Sequence, residues 1–173
     1  VLKADSEDNY STIPVHVRPE GLSPDSIYLI PLRIKSVSAY EINPDKRTVL
    51  YRVLLKNDYA FQSPVTTYQT RGLEEHFDAE KGKDIRKSFS LTRYVLPLTK
   101  NSIRCFVGLN SYDASKLTKA DIRKYAMCIT INEDATLTIT PMGTAQIEML
   151  DKAGESNYYT TYEKNNIKYQ AFY

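Results

Sequence analysis

The strongest constraint on the fold is a pair of alternating stretches between residues 27 and 56. In the first, Tyr28, Ile30, Leu32 and Ile34 share one parity, with Arg33 and Lys35 on the other; in the second, Val49, Tyr51, Val53 and Leu55 oppose Arg52 and Lys56. A period of two puts each apolar set on one face of a β-strand. Between them Asn43-Pro44-Asp45 suits a turn, because proline presets φ and an asparagine side chain accepts from the backbone further on. The expectation is two antiparallel strands that bury one face. That says much about architecture and little about chemistry.

The remaining segments also read as sheet. Residues 12–18 form a short strand, with Ile13, Val15 and Val17 on one side and Pro14, His16 and Arg18 on the other. Residues 65–70 are rich in β-formers and stop at Gly72, whereas 74–87 is dense in both charge signs, carries Gly82 and reads as an exposed loop. Residues 88–98 look extended, and 103–109 is the clearest strand of the second half. Thr118-Lys119-Ala120-Asp121 resembles a capping box opening one short helix to Tyr125. A hairpin over 126–131 and 136–140 follows, then a strand at 145–150 and a loop at 151–156. A tyrosine-rich strand pair, 157–163 and 167–173, turns at Lys164-Asn165-Asn166.

The domain boundary is expected near Tyr59. Residues 1–58 then form a partial sandwich and 59–173 a second, barrel-like unit. Val1 in first place and the strand-like ending at Tyr173 are read as marks of a fragment or a processed product.

Composition narrows the function classes. The 173 residues carry a net charge of only +2, which offers no electrostatic grip on nucleic acid or anionic lipid. No apolar run is long enough to cross a membrane as a helix. No phosphate-binding glycine loop, dinucleotide fingerprint, nucleophile elbow or zinc-ligand spacing occurs, so neither cofactor nor metal is expected. Cys105 shares the parity of Ile103 and Val107 and points inward, whereas Cys128 opposes Ile129 and Ile131. Those phases favour two buried free thiols over a bridge.

Glu74-Glu75-His76-Phe77-Asp78 is the one cluster resembling a hydrolytic or metal site. Paired-carboxylate catalysis needs one acid kept protonated in an apolar pocket. Lys81, Lys83 and Asp84 lie close by in a hydrophilic run, so a solvated segment is the preferred reading. His16, on the polar side of its strand, reads as simply exposed. No catalytic residue is assigned.

The aromatic content is harder to set aside, with 14 Tyr and no Trp. Tyrosine offers a flat ring with a polar tip, suited both to cross-strand packing and to stacking on sugar faces. Tyr158, Tyr159, Tyr162, Tyr169 and Tyr173 crowd the last segment. Tyr158, Tyr159 and Tyr162 are taken as the candidate ligand-binding residues, although cross-strand packing is the preferred explanation for any single one of them. The same packing explanation covers Tyr59, Phe61 and Tyr68.

Gly21-Leu22-Ser23-Pro24-Asp25-Ser26-Ile27-Tyr28-Leu29-Ile30-Pro31-Leu32-Arg33-Ile34, followed by Tyr40-Glu41-Ile42-Asn43-Pro44-Asp45-Lys46, resembles a family of cell-surface lipoproteins from gut Bacteroidetes. Members carry an N-terminal immunoglobulin-like domain in which such a strand precedes a Ser-rich bend. The likeness covers about the last two-thirds of that domain, to Asp58. The rest, including 117–131 and 156–173, is similar to the lipocalin- or calycin-like barrel that follows it. The resemblance implies an all-β chain: a partial immunoglobulin-like β-sandwich, then an antiparallel β-barrel-like domain with one short helix. It also implies export to the cell surface or outer membrane, a lipid anchor upstream of Val1, and association with other proteins of polysaccharide utilisation. The expected function is non-catalytic binding of a polysaccharide or oligosaccharide. The alternatives are a structural, adhesin-like module and an accessory domain of a glycoside hydrolase.

Overall fold

The computed structural model describes residues 12–38, 40–108, 117–147 and 157–173. The fold is all-β, with one short helix and only antiparallel strand pairings among the described residues. Its elements are β1 (Tyr28–Arg33), β2 (Thr48–Val53), β3 (Thr66–Asp78), β4 (Lys83–Thr99), β5 (Ser102–Phe106), α1 (Lys119–Tyr125), β6 (Ala126–Ile131), β7 (Leu137–Pro141), β8 (Tyr159–Lys164) and β9 (Ile167–Phe172).

β1 and β2 pair from Tyr28 opposite Val53 to Arg33 opposite Thr48. The intervening turn is the expected one: Asn43 Oδ1 accepts from Asp45 N at 2.9 Å. Burial of the shared face is incomplete. Tyr28, Ile30 and Leu32 are half-buried, but Val49 and Tyr51 opposite them are exposed. Residues 12–18 join no ladder, and Ile13, Val15 and Val17 are exposed, so the strand expected there does not form. Alternation alone makes no strand when no neighbouring edge supplies hydrogen bonds.

β3 to β7 form a five-stranded sheet in sequence order. Its core joins Ala60, Val95, Ile103, Cys105, Ile129, Ile131 and Leu137. Neither β7 nor β9 pairs with β3 among the described residues, so the barrel-like unit expected from the sequence does not close. β8 and β9 make a separate hairpin that meets the start of β7. Tyr159 N donates to Ala135 O at 2.8 Å and Leu137 N to Asn157 O at 3.0 Å.

The segment expected to be a loop at 74–87 is instead the distal part of the β3–β4 ribbon, in register to Asp78 opposite Lys83. High charge density masks the pattern, yet Leu73, Phe77, Ile85 and Phe89 sit at strand spacing between the charges. Gly72 does not end β3. It lies inside the strand opposite Phe89, whose ring a Cβ at position 72 would approach to 2.7 Å. Glycine here admits a close ring-to-backbone contact. The strand expected at 145–150 is not formed at residues 145–147, and 148–150 lie outside the described residues, as do the expected loop at 151–156 and Leu109.

The helix begins as expected. Asp121 N donates to Thr118 Oγ1 at 3.2 Å, and Thr118 N donates back to Asp121 Oδ2 at 3.0 Å. Both cysteines are free thiols, Cys105 buried and Cys128 partly so.

Both faces of β5 are covered. Ile103 and Cys105 enter the core, while Arg104 on the opposite face is 2% exposed and meets Asp25. The loop carrying Asp25 is held from several sides. Ser23 N donates to Tyr28 Oη at 2.8 Å, and Gln62 Nε2 donates to Pro24 O at 2.7 Å. Asn57 joins the same region to the sheet: its Nδ2 donates to Thr99 O at 2.7 Å and Ser102 O at 2.9 Å. Its Oδ1 accepts from Tyr59 N and Ala60 N.

Candidate functional site

The tyrosine-rich hairpin has a tight turn because Asn165 and Asn166 both take positive φ, 54° and 61°. Asparagine tolerates that region better than most residues, and two such residues in sequence suit the turn whose twist matches its flanking strands. The register then fixes the faces. Tyr162 lies opposite Tyr169, Thr160 opposite Ala171 and Tyr159 opposite Phe172.

The three residues singled out from sequence are therefore split. Tyr158 and Tyr162 lie on one face, 44% and 48% exposed. Tyr158 stacks on Tyr173 with centroids 4.9 Å apart and planes at 17°, and Tyr162 stacks on Tyr169 at 5.2 Å and 11°. At about 3.3 Å per residue, the two pairs sit roughly 13 Å apart along the strand. Thr160 and Ala171, both small, lie between them on the same face, and Lys164 follows at the tip. Tyr169 and Tyr173 belong to this arrangement. The sequence places them in the same crowded segment, but only the strand register makes them partners of Tyr162 and Tyr158.

Tyr159 is on the other face. Its ring meets Tyr59 edge-on at 5.1 Å and Phe172 at 5.2 Å, against the core. Desolvation, and then the nearby Tyr59 and Asp58, raise its hydroxyl pKa. Tyr68, on β3, packs edge-on against Phe172 at 5.2 Å. Its hydroxyl lies 2.8 Å from Tyr59 O and 2.6 Å from Gln170 Oε1, and Gln170 Nε2 donates to Asp58 O at 2.8 Å. Burial, and then Tyr159, push the Tyr68 phenol up to about 12. This inner face packs the hairpin against the core, and among the described residues the tyrosines of the outer face are exposed.

The Glu75–His76–Asp78 cluster does not converge. Consecutive residues alternate across the ribbon: Glu75 pairs with Arg86 opposite it, and His76 lies exposed opposite Ile85. Asp78 Oδ1 accepts from Glu80 N at 3.0 Å and Lys81 N at 3.1 Å, and its Oδ2 from Lys81 Nζ at 3.0 Å. The Lys81 hydrogen bonds hold its carboxyl below the usual range. The arrangement closes a turn. Among the described residues no group of three His, Cys, Asp or Glu is placed to hold a metal ion. His16 is exposed.

A family model described as "-like, C-terminal" matches residues 47–171. No curated protein and no solved structure matches the chain. The matched span takes in β2 to β9 almost whole, including the stacked Tyr162 and Tyr169 and, of the other pair, Tyr158 but not Tyr173. The chain thus belongs to that family, a Bacteroides-type family of unknown function, through its C-terminal domain.

Proposed function

We propose that the chain is a non-catalytic carbohydrate-binding module of a lipid-anchored cell-surface protein, working beside other outer-membrane proteins of polysaccharide utilisation. The observation that carries the binding role is the outer face of β8–β9, where Tyr158 and Tyr173 form one stacked pair and Tyr162 and Tyr169 another. In each pair a ring gives one face to its partner and keeps the other. Those free faces suit the apolar faces of sugar rings, with phenolic hydroxyls and Thr160 supplying hydrogen bonds. The anchor and the utilisation system rest on the resemblance of residues 21–34 and 40–46.

The test is a glycan array followed by affinity electrophoresis against the polysaccharides it selects. Tyr162→Ala and Tyr169→Ala should each weaken binding by about three- to tenfold. Binding unchanged by both substitutions overturns the reading. A protein-contact role is the second reading, favoured by the exposed Val49, Leu50 and Tyr51 on β2. It gains if the array stays empty.

A further inference from the structure

Among the described residues β4 pairs with the 13-residue strand β3 along one side only. Thr66 N donates to Phe61 O, away from β4, so by alternation the even-numbered amides of β3 turn toward the unpaired side. Beyond Thr66 no backbone hydrogen bond is made to that side among the described residues, and such a row of donors and acceptors is a template for another strand. On the odd-numbered face Arg71, Leu73, Glu75 and Phe77 are all exposed, Leu73 by 60% and Phe77 by 66%. Their neighbours on β4 are Ser90, Ser88, Arg86 and Asp84, which give the two apolar side chains no cover.

We propose that this edge pairs with the same edge of a second copy of the chain, antiparallel and centred on Leu73. Two-fold symmetry about that residue sets Arg71 of each copy opposite position 75 of the other. The one cation of β3 then meets an anion twice. Leu73 meets its own symmetry mate, and Phe77 lies beside position 69 of the second copy. No two like charges stand opposite each other in this register. Glu75, already paired with Arg86 within its own ribbon, becomes the centre of a row with a cation on each side. The same amide alternation makes Leu73 a non-hydrogen-bonded position at the new edge, where opposed side chains come closest. The result is a four-stranded sheet, β4-β3-β3-β4, across the two-fold axis.

Charge reversal and mixing test the register. R71E makes positions 71 and 75 both acidic, and E75R makes both basic. Each variant alone should associate at least about tenfold more weakly than the wild type in sedimentation equilibrium. An equimolar mixture should regain association, because each acidic edge then faces a basic one. L73C should oxidise to a covalent dimer that dithiothreitol reverses, since opposed Cα atoms at such positions lie within disulfide reach. Q69C, which faces position 77 rather than itself, should not. Circular dichroism of each variant alone checks that it folds. A wild-type chain that stays monomeric to millimolar concentration overturns the proposal. So does a mixture no more associated than its components, or equal cross-linking at positions 69 and 73.

Discussion

Asp25 grips the guanidinium of Arg104 with both carboxylate oxygens, at 2.5 and 2.6 Å, across 79 residues of sequence. Arg104 is 2% exposed, whereas the Asp25 side chain keeps 33% of its surface, so the cation carries most of the desolvation. Removing one partner of a buried pair strands the other charge, which typically costs about 3–5 kcal/mol. Asp25→Ala should therefore destabilise the chain by several kcal/mol in urea denaturation. Arg104→Met combined with Asp25→Ala should be less damaging than Asp25→Ala alone. A double-mutant cycle with no coupling would show that the pair contributes nothing specific.

The two faces of β8–β9 should respond in opposite ways. Tyr159→Ala removes a ring lodged against Tyr59 and Phe172 and should cost about 2–3 kcal/mol of stability. Tyr162→Ala, which loses one exposed stacking contact, should cost about 1 kcal/mol or less. Thermal melts of both variants, read beside their glycan affinity, separate the inner face from the outer.

Cys105 sets a pH dependence. Burial, outweighing the nearby Arg93 charge, pushes its thiol up to about 12 from 9.0. The folded state thus holds the proton while the unfolded chain releases it. Stability from this group is fully present below about pH 9 and is lost as pH rises toward 12. Urea midpoints should fall by the equivalent of roughly 1 kcal/mol per pH unit across the accessible part of that window. Cys105→Val should flatten the slope. Native-state alkylation should mark Cys128 well before Cys105.

Gly143 is required by its setting. It has φ of 74°, and a Cβ there would come within 2.9 Å of Arg123 Cβ and 3.1 Å of Arg123 Cα on α1. The next residue donates from Thr144 N to Arg123 O at 2.9 Å, so the loop cannot simply back away. Gly143→Ala should destabilise by more than about 1 kcal/mol. Gly82, whose φ is 59° with open space around it, should lose less on the same substitution. Chemical denaturation of the two variants side by side checks the difference.

What could be read from the sequence follows the range of the forces involved. The capping box at Thr118, the Asn43 turn and the Asn165-Asn166 hairpin depend on neighbours a few residues away, and all three form. Parity also put Cys105 inward and Cys128 on the other side, a division the sheet keeps. Arg104 has the parity of a solvent-facing residue, and nothing near it in sequence announces Asp25 as its cover. The β3–β4 ribbon was hidden for a different reason. Its hydrophilic run is a paired strand, in which Glu75 and Arg86 neutralise each other across the ribbon and Asp78 binds Lys81 in the turn. At the candidate site the tyrosine crowding was visible, but adjacent Tyr158 and Tyr159 had to point to opposite faces. Only the register showed which of the two joins Tyr162.

The stacked tyrosine pairs have an optical consequence. The chain has no Trp, so its near-ultraviolet absorption above the peptide bands is dominated by phenol rings. Two pairs lie with centroids about 5 Å apart and nearly parallel planes, close enough for their electronic transitions to couple. A molecule that slides onto or between those rings changes the coupling. The protein would thus announce occupancy through its own near-ultraviolet dichroism, with no attached label.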